Sequence, residues 1–315
     1  MRAAASLCFL LSPAAAVIAC PWTRHACYPC PVIVVPACYP PPVYYPLCPP
    51  AIRVTEPPVP ESPKAPVVRE DVAPEGWCHI RGRVVFDGDP VPKQAVIPNA
   101  RGALTEDWVV DPDTRGVKNV IVWLGPEPTA EQWKALKATG AGRLREFPSF
   151  AEKDIYPGLP RGKDQTVLIL EAPIAFIPHI VAVRSGSDVV FRNLSTRPEN
   201  VKWSSRNNDE VSPLIPPGNE FRMKKTKPER WPIPIESSIN PWMKAYVRVF
   251  DHPYFAVTAP DGTFEIKYAP KGNLRLFVWQ ETTGYRNGPE GRFGEPIQVS
   301  SGRLDLGDIK IKPRP

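Results

Sequence analysis

Residues 176–193 read FIPHIVAVRSGSDVVFRN and contain two short β-like runs, 180–183 and 189–193, separated by a glycine-containing turn. Similar runs, bounded by Gly, Pro, Asn and Asp, recur at regular intervals from Trp77 onward, and this pattern is typical of strands. Further predicted strands cover residues 79–86, 119–124, 166–170, 245–250, 254–258, 263–267, 274–279 and 308–312. Many short strands at such spacing predict an all-β protein built from β-sandwiches.

Composition excludes several classes of protein. Of the 315 residues, 43 are proline, which is far above the usual proline content of about 5%. Proline is not tolerated in the interior of a helix. A long helical bundle is therefore excluded, while a hydrophobic content of 43% excludes wholesale disorder. A net charge of +6 is lower than that of typical nucleic-acid-binding proteins. We therefore expect no nucleic-acid partner.

The chain lacks the sequence motifs that are typical of common enzyme classes. It contains no G-x-S-x-G, no H-E-x-x-H, no Walker loop and no dinucleotide-binding fingerprint. Four histidines make it a poor candidate for a multi-histidine metal site or a His-based triad. We therefore predict that the protein is not an enzyme.

One short helix is predicted in the connection after the second strand. Thr129 and Gln132 have the spacing of a capping box, in which each side chain binds the backbone of the other. Trp133 and Leu136 then form a short apolar stripe that should pack on a sheet, and Gly140 is expected to end the helix.

The N-terminus indicates export. Residues 1–19 (MRAAASLCFLLSPAAAVIA) have a basic residue, an apolar run and a small-residue end, which fits a cleaved signal peptide. Val17-Ile18-Ala19-Cys20 resembles a bacterial lipobox, so Cys20 is a lipidation candidate. Simple secretion, with Cys20 left unmodified, is the alternative. We expect an exported protein of the cell envelope, in contact with a membrane only through this lipid anchor.

Residues 20–75 form a Cys/Pro-rich linker. Positions 21–74 hold 16 prolines, too many for a packed core, which predicts a disordered, extended stalk. Six cysteines remain after the signal peptide: Cys20, Cys27, Cys30, Cys38, Cys48 and Cys78. An unmodified Cys20 permits three disulfides, whereas a lipidated Cys20 leaves five cysteines, of which one must be free or paired between chains. The pairing is left open.

The region 165–250 resembles the cupredoxin-like domains of secreted bacterial proteins, related to plastocyanin and azurin. An apolar strand, a glycine turn and a V-x-F-x-N strand carry the resemblance, and the later motifs Ile215-Pro216-Pro217-Gly218 and INPWMKAYVRVF (239–250) extend it. The resemblance implies a Greek-key β-sandwich whose copper is held by two imidazoles, a thiolate and a weak thioether.

The positions that correspond to the copper ligands carry other residues. Glu199 and Asn240 stand where the family has its two histidines, Ser237 stands where it has the cysteine, and Met243 alone matches. We expect no cofactor at this degenerate site, because ligand type dictates copper binding. Copper, or a hard cation on Glu199, Ser237 and Asn240, is the less favoured alternative.

The flanking regions resemble a carboxypeptidase-regulatory-like, prealbumin-type β-sandwich. Residues 80–92 look like its opening, and residues 257–266, 269–272 and 274–276 look like its continuation. We therefore predict a regulatory-like sandwich, 76–164 and 251–315, split by the cupredoxin-like segment 165–250. A simple tandem is the alternative. Gln280 follows the tryptophan of the F-V-W strand, where the copper-bearing relatives are expected to have a histidine.

These features lead to a functional hypothesis with two alternatives. The main hypothesis is a non-catalytic cell-envelope protein that binds an envelope protein or a glycan, or has a structural role. The first alternative is copper-dependent electron transfer. The second is carbohydrate binding by exposed tryptophans, for which Trp203, Trp231 and Trp242 are the candidates. His179, inside an apolar run, is expected to be a hydrogen-bonded core residue.

Overall fold

The computed structural model describes residues 72–138, 147–172 and 174–313. The predicted signal peptide, the lipidation candidate Cys20, the linker up to residue 71 and the predicted helix end at Gly140 lie outside the described residues, as do all cysteines except Cys78.

The regular secondary structure of the described chain is mostly β, as the sequence predicts. Eighteen strands are assigned: β1 Trp77–Phe86, β2 Ile121–Pro126, β3 Thr166–Ala172, β4 Ala175–Ile177, β5 Ile180–Arg184, β6 Asp188–Asn193, β7 Glu199–Asn200, β8 Lys202–Trp203, β9 Leu214–Ile215, β10 Glu220–Met223, β11 Ile233–Glu236, β12 Lys244–Phe250, β13 Phe255–Val257, β14 Thr263–Pro270, β15 Gly272–Gln280, β16 Gly284–Tyr285, β17 Glu295–Val299 and β18 Gly302–Ile311. The helix α1 covers Ala130–Lys137, and three 3₁₀ turns cover Glu152–Asp154, Gly162–Asp164 and Gly288–Phe293.

Strands from the two ends of the described chain form one sandwich. Sheet 1 has the order β14-β1-β18, and sheet 2 has the order β13-β2-β15-β16, with β17 added beside β15. In sheet 1, β1 runs antiparallel to β14 and parallel to β18. Alternate residues of both sheets, among them Ile80, Val122, Ile266 and Leu276, meet in a shared core. Strands that precede and follow the segment 165–250 therefore pair directly. The domain boundaries themselves stay a prediction.

The segment from β3 to β12 forms a second sandwich. Sheet 3 has the order β10-β6-β3-β4, and sheet 4 has the order β5-β12-β11-β8. Each contains one parallel pair, β3 with β6 and β5 with β12, because the chain crosses to the other sheet between the partners. Ile169, Phe191, Ile235 and Val247 are among the residues from both sheets that fill the core between them.

A third apolar layer joins the two sandwiches. In β12, Ala245, Val247 and Val249 point into the core of the second sandwich, while Phe250 belongs to the layer shared with sheet 2. Successive side chains of a strand point to opposite faces, so a strand buried on both faces contributes to two cores. Sheet 2 does the same: Ile121, Trp123, Phe277, Trp279 and Tyr285 face sheet 4. The sheets are thus stacked in the order 1, 2, 4, 3.

Two predictions about α1 are confirmed, its capping box and its apolar stripe. Thr129 caps α1: its side chain accepts from the backbone N–H of Gln132, and the Gln132 side chain accepts from the N–H of Thr129. Leu136 is buried, and the ring of Trp133 meets Phe147 and Phe293 edge-on. The Pro260-Asp261-Gly262 turn places Gly262 at φ +80°, where a Cβ would lie 2.3 Å from the Val84 carbonyl oxygen, so the turn requires glycine.

All ten strands predicted from the sequence are present, with ends that differ by a few residues. The prediction missed the short strands β4, β7 to β11, β16 and β17, whose runs of two to five residues carry little periodic signal. No helix among the described residues is long and apolar enough to cross a membrane.

Candidate functional site

The four positions predicted to be a degenerate copper site lie together at one end of the second sandwich. Glu199 belongs to β7, Ser237 and Asn240 lie in the connection between β11 and β12, and Met243 directly precedes β12. The amide Nδ2 of Asn240 donates to Oε2 of Glu199 at 2.6 Å, and both side chains are 2% exposed. A buried hydrogen-bonded pair therefore occupies two of the four positions.

The other two positions are also engaged. Ser237 Oγ accepts from the backbone N–H groups of Ile239, at 3.2 Å, and Asn240, at 3.0 Å, and so closes the turn before β12. The backbone N–H of Met243 donates to the Asn240 carbonyl at 2.8 Å, and its side chain packs into the core between sheets 3 and 4. The cluster is held by its own contacts.

Neighbouring Asn200 fastens this cluster to the rest of the sandwich. Its Oδ1 accepts from the backbone of Ser238 at 2.9 Å, and its Nδ2 donates to the Pro213 carbonyl at 3.0 Å. Together these bonds link β7, the β11–β12 connection and the segment before β9. Buried polar groups that satisfy one another in this way specify one arrangement of the loops.

The donor set does not fit copper of the cupredoxin type. Such a site needs imidazole nitrogens and a thiolate, whereas the side chains here supply a carboxylate, a hydroxyl, an amide and one thioether. The carboxylate is bound to the amide, and the hydroxyl accepts two backbone donors. Among the described residues, no group of three His, Cys, Asp or Glu side chains could hold a metal ion.

A second polar cluster lies where the two sandwiches meet, around His179. Its Nε2 donates to Oε1 of Glu281 at 2.7 Å, and its Nδ1 donates both to the Lys244 carbonyl at 2.9 Å and to Oε2 of Glu106 at 2.9 Å. All three partners accept hydrogen bonds, so both ring nitrogens must carry protons. The ring side chain is 5% exposed and stands edge-on to Tyr246.

The surroundings keep this histidine charged. Burial lowers the pKa of His179, but the hydrogen bonds and charges of Glu106 and Glu281 outweigh it and raise the pKa to about 9. Burial and the same Glu281 raise the pKa of Tyr246 to about 12. An imidazolium whose two N–H groups are both used has no lone pair for a metal and cannot act as a general base at neutral pH. The geometry gives His179 a structural role, in which its hydrogen bonds hold Glu106, Lys244 and Glu281 together.

The two clusters border one cleft. Its lining includes Glu106, His179 and Glu281 of the second cluster, Met243 of the first cluster, and Trp242. Most of the charged lining is acidic, and the single imidazolium is neutralised by its two carboxylates. The cleft could accept a polar or weakly cationic group.

The sequence analysis missed the carboxylate partners of His179. Glu106 and Glu281 lie 73 and 102 residues from it, in segments without a motif, so no sequence signal could have found them. Gln280, noted as a departure from the resemblance, accepts from the backbone of Thr282 and Thr283 and donates to the Asp107 carbonyl. It therefore shapes the turn after β15.

The three candidate tryptophans do not form one surface. Trp203 is 3% exposed and stacks on Phe191 inside the second core, so it cannot meet a sugar. Trp242 is half-buried beside the acidic cleft. Trp231 is 40% exposed and stands edge-on to Tyr285.

Comparison with solved structures finds copper proteins that resemble part of this chain at low sequence identity. A Cu-containing nitrite reductase from Thermus scotoductus is 21% identical over 27% of this chain and 22% of its own, with a TM-score of 0.25. A purple cupredoxin from Nitrosopumilus maritimus is 18% identical over 27% of this chain and 99% of its own, with a TM-score of 0.23. A variant of amicyanin is 16% identical over 32% of this chain and 90% of its own, with a TM-score of 0.25.

No family model matches the chain. No curated protein matches it in sequence. This chain spans about a fifth of the nitrite reductase, so the activity of that enzyme does not transfer to it.

The Glu199–Asn240 pair should contribute to stability as a unit. We expect Asn240→Ala and Glu199→Ala each to lower the free energy of unfolding by about 1–3 kcal/mol, because each leaves a buried polar group without its partner. The double variant should lose less than the sum. Glu199→Gln, which keeps a carbonyl acceptor, is the matched control and should lose least. Urea unfolding measures all four variants, and additive losses would contradict the pairing.

The His179 cluster should make stability depend on pH. Its pKa is raised from 6.5 to about 9, so its contribution is complete below pH 6.5 and is lost as the pH rises towards about 9. The shift corresponds to a loss on the order of 3 kcal/mol. We expect the wild type to lose this stability across that window in urea unfolding, and His179→Gln to lose much less. An NMR titration that gives His179 a pKa at or below 6.5 would refute the assignment.

Proposed function

We propose that the protein is a non-catalytic binding protein of the cell envelope, in which a cupredoxin-like sandwich has exchanged its copper site for a structural polar cluster. The observation that carries the proposal is the buried hydrogen bond between Glu199 and Asn240. Residues at two expected ligand positions bind each other, and Ser237 at a third binds backbone. The site is therefore complete without a metal.

Electron transfer is less well supported by the same contacts. Electron-transfer copper of the cupredoxin type needs a thiolate, and the one cysteine among the described residues, Cys78, lies in the core of the first sandwich. Burial raises the pKa of the Cys78 thiol, which favours an inert side chain over a ligand. Binding, as opposed to electron transfer, is the function that fits these residues.

The state of Cys78 also supports a lipid anchor. Cys78 is a free thiol with no exposed surface, so disulfides in the mature chain would draw on Cys20, Cys27, Cys30, Cys38 and Cys48. Lipidation of Cys20 leaves four cysteines, an even number, whereas an unmodified Cys20 leaves an unpaired one. We propose an exported, lipid-anchored protein whose Pro-rich linker holds the β-sandwiches away from the membrane. Its partner is an envelope protein or a glycan.

Restoring the missing ligands tests the copper part of the proposal. The triple variant Glu199→His, Ser237→Cys and Asn240→His supplies the two imidazoles and the thiolate beside the native Met243. We expect it to retain one copper per chain after desalting and to show the visible charge-transfer colour of a copper thiolate. The wild type, loaded with Cu(II) and Cu(I) separately, should retain none.

The matched control carries Ser237→Ala with the same two histidines and should lack the colour. Circular dichroism confirms that each variant folds. Copper held tightly by the wild type would overturn the proposal. A folded triple variant that gains no copper would show that these four positions are not a former copper site.

Thiol counting tests the anchor. In the full mature protein without reductant, we expect one reactive thiol per chain, and only after denaturation, because Cys78 is buried. Cys78→Ala should leave none, and Cys20→Ala should abolish lipid labelling without changing the count. Two or more thiols in the wild type, or lipid labelling that survives Cys20→Ala, would contradict the proposed anchor.

A further inference from the structure

A small pocket between sheets 2 and 4 is lined by basic and aromatic side chains. Its volume is about 90 Å³, and Arg230, Arg248 and Arg292 lie on its walls. The stacked rings of Trp123 and Phe277, 5.1 Å apart, form one side, and Phe250 forms another. The pocket lies apart from the Glu199 cluster and shares no lining residue with the acidic cleft.

Arg248 is the unusual residue of this pocket. It projects from β12, is 8% exposed and has one hydrogen bond within the described chain, from Nη1 to the Val249 carbonyl at 3.4 Å. Its Nε is buried and makes no hydrogen bond there. Its guanidinium lies 5.6 Å from the ring centre of Trp123 and 4.6 Å from that of Phe250. Burial lowers the pKa of Arg248 to about 10, so the group is still charged at neutral pH.

The acidic residues of the pocket do not pair with this charge. Glu229 Oε1 accepts from Ser205 and from the backbone of Asn207, and Asp251 accepts from Ser149. Both carboxylates act on Arg248 only through longer-range attraction. A buried guanidinium usually forms an ion pair or a full set of hydrogen bonds. Arg248 has neither among the described residues.

The other polar walls provide further donors. Arg292 has a buried Nε with no hydrogen-bond partner in the described part of the chain. Burial lowers the pKa of His252 to about 4, and its Nδ1 accepts from the backbone of Tyr254 at 3.1 Å. The neutral ring therefore carries its proton on Nε2, as a donor. Arg230 hydrogen-bonds Tyr285. Arg248 and Arg292 thus bring unused donors to one pocket.

We infer that this pocket binds the carboxylate group of a small organic acid, with Arg248 as the central ligand-binding residue. The planar guanidinium fork matches a carboxylate. One buried guanidinium without an ion pair in the described chain suits a monoanion better than a dianion. The aromatic walls of Trp123 and Phe277 suit an apolar or aromatic body attached to the acid. The inference is independent of the copper question, because no residue is shared.

Calorimetric titration of the full mature protein with benzoate and with propionate tests this inference, with neutral benzamide, phosphate and sulfate as comparison probes. We expect both carboxylates to bind, benzoate more tightly, and the tryptophan fluorescence to change on binding because Trp123 lines the pocket. Benzamide should not bind. Bound carboxylate should also raise the melting temperature.

Arg248→Met removes the charge and keeps the length of the side chain. Replacing an unpaired buried charge by an apolar group should leave the fold intact, and we expect carboxylate affinity to fall at least ~10-fold. Arg222→Met, on the exposed edge strand β10, is the matched control and should bind normally.

Three outcomes would overturn the inference. They are the absence of carboxylate binding by the wild type, unchanged affinity in a folded Arg248→Met variant, and tighter binding of phosphate or sulfate than of benzoate. The first outcome, combined with a loss of stability in Arg248→Met, would give Arg248 a purely structural role through its contacts with Trp123 and Phe250.

Discussion

The burial of sheet 2 on both faces is the constraint on which the rest of the structure depends. Val122 and Leu124 face the first core, while Ile121 and Trp123, the residues between them, face sheet 4. A strand with no solvent face must be apolar along its whole length, and the IVWLGP sequence of β2 meets that requirement. The two sandwiches are therefore fused through a continuous apolar layer, and a polar group buried at their junction depends on partners close by.

The two buried cations at the junction have very different surroundings. His179 has two carboxylates and a backbone carbonyl as partners, and their hydrogen bonds and charges outweigh the cost of burial. Arg248 has aromatic faces and a single weak backbone contact, and burial dominates its pKa. The first arrangement is closed and stabilises the fold. The second leaves donors unused, which is why we assign ligand binding to it.

The cluster around Glu199 is held together by its own contacts. Asn240 takes the carboxylate, Ser237 takes two backbone donors, and Met243 fills the core. These hydrogen bonds give the loops a defined geometry. Our proposal that the chain is a binding protein rests on this arrangement.

The amino-acid sequence by itself determined the longer strands, the one helix and the chemical character of the expected copper site. Strands long enough to show a pattern, such as β1 and β15, were predictable because β-branched and aromatic residues recur between turn residues. The capping box of α1 was predictable because it is local. The absence of histidine and cysteine at positions 199, 237 and 240 was visible in the sequence alone.

Only the tertiary structure decided which distant residues meet. Glu106 and Glu281 reach His179 across 73 and 102 residues, and Arg248 reaches Trp123 across 125. Such contacts follow from the stacking order of the four sheets, which depends on the pairing of strands far apart in the chain. Local sequence fixes which residues can form strands and turns, whereas the sites form where non-local packing removes water and leaves particular charges facing one another.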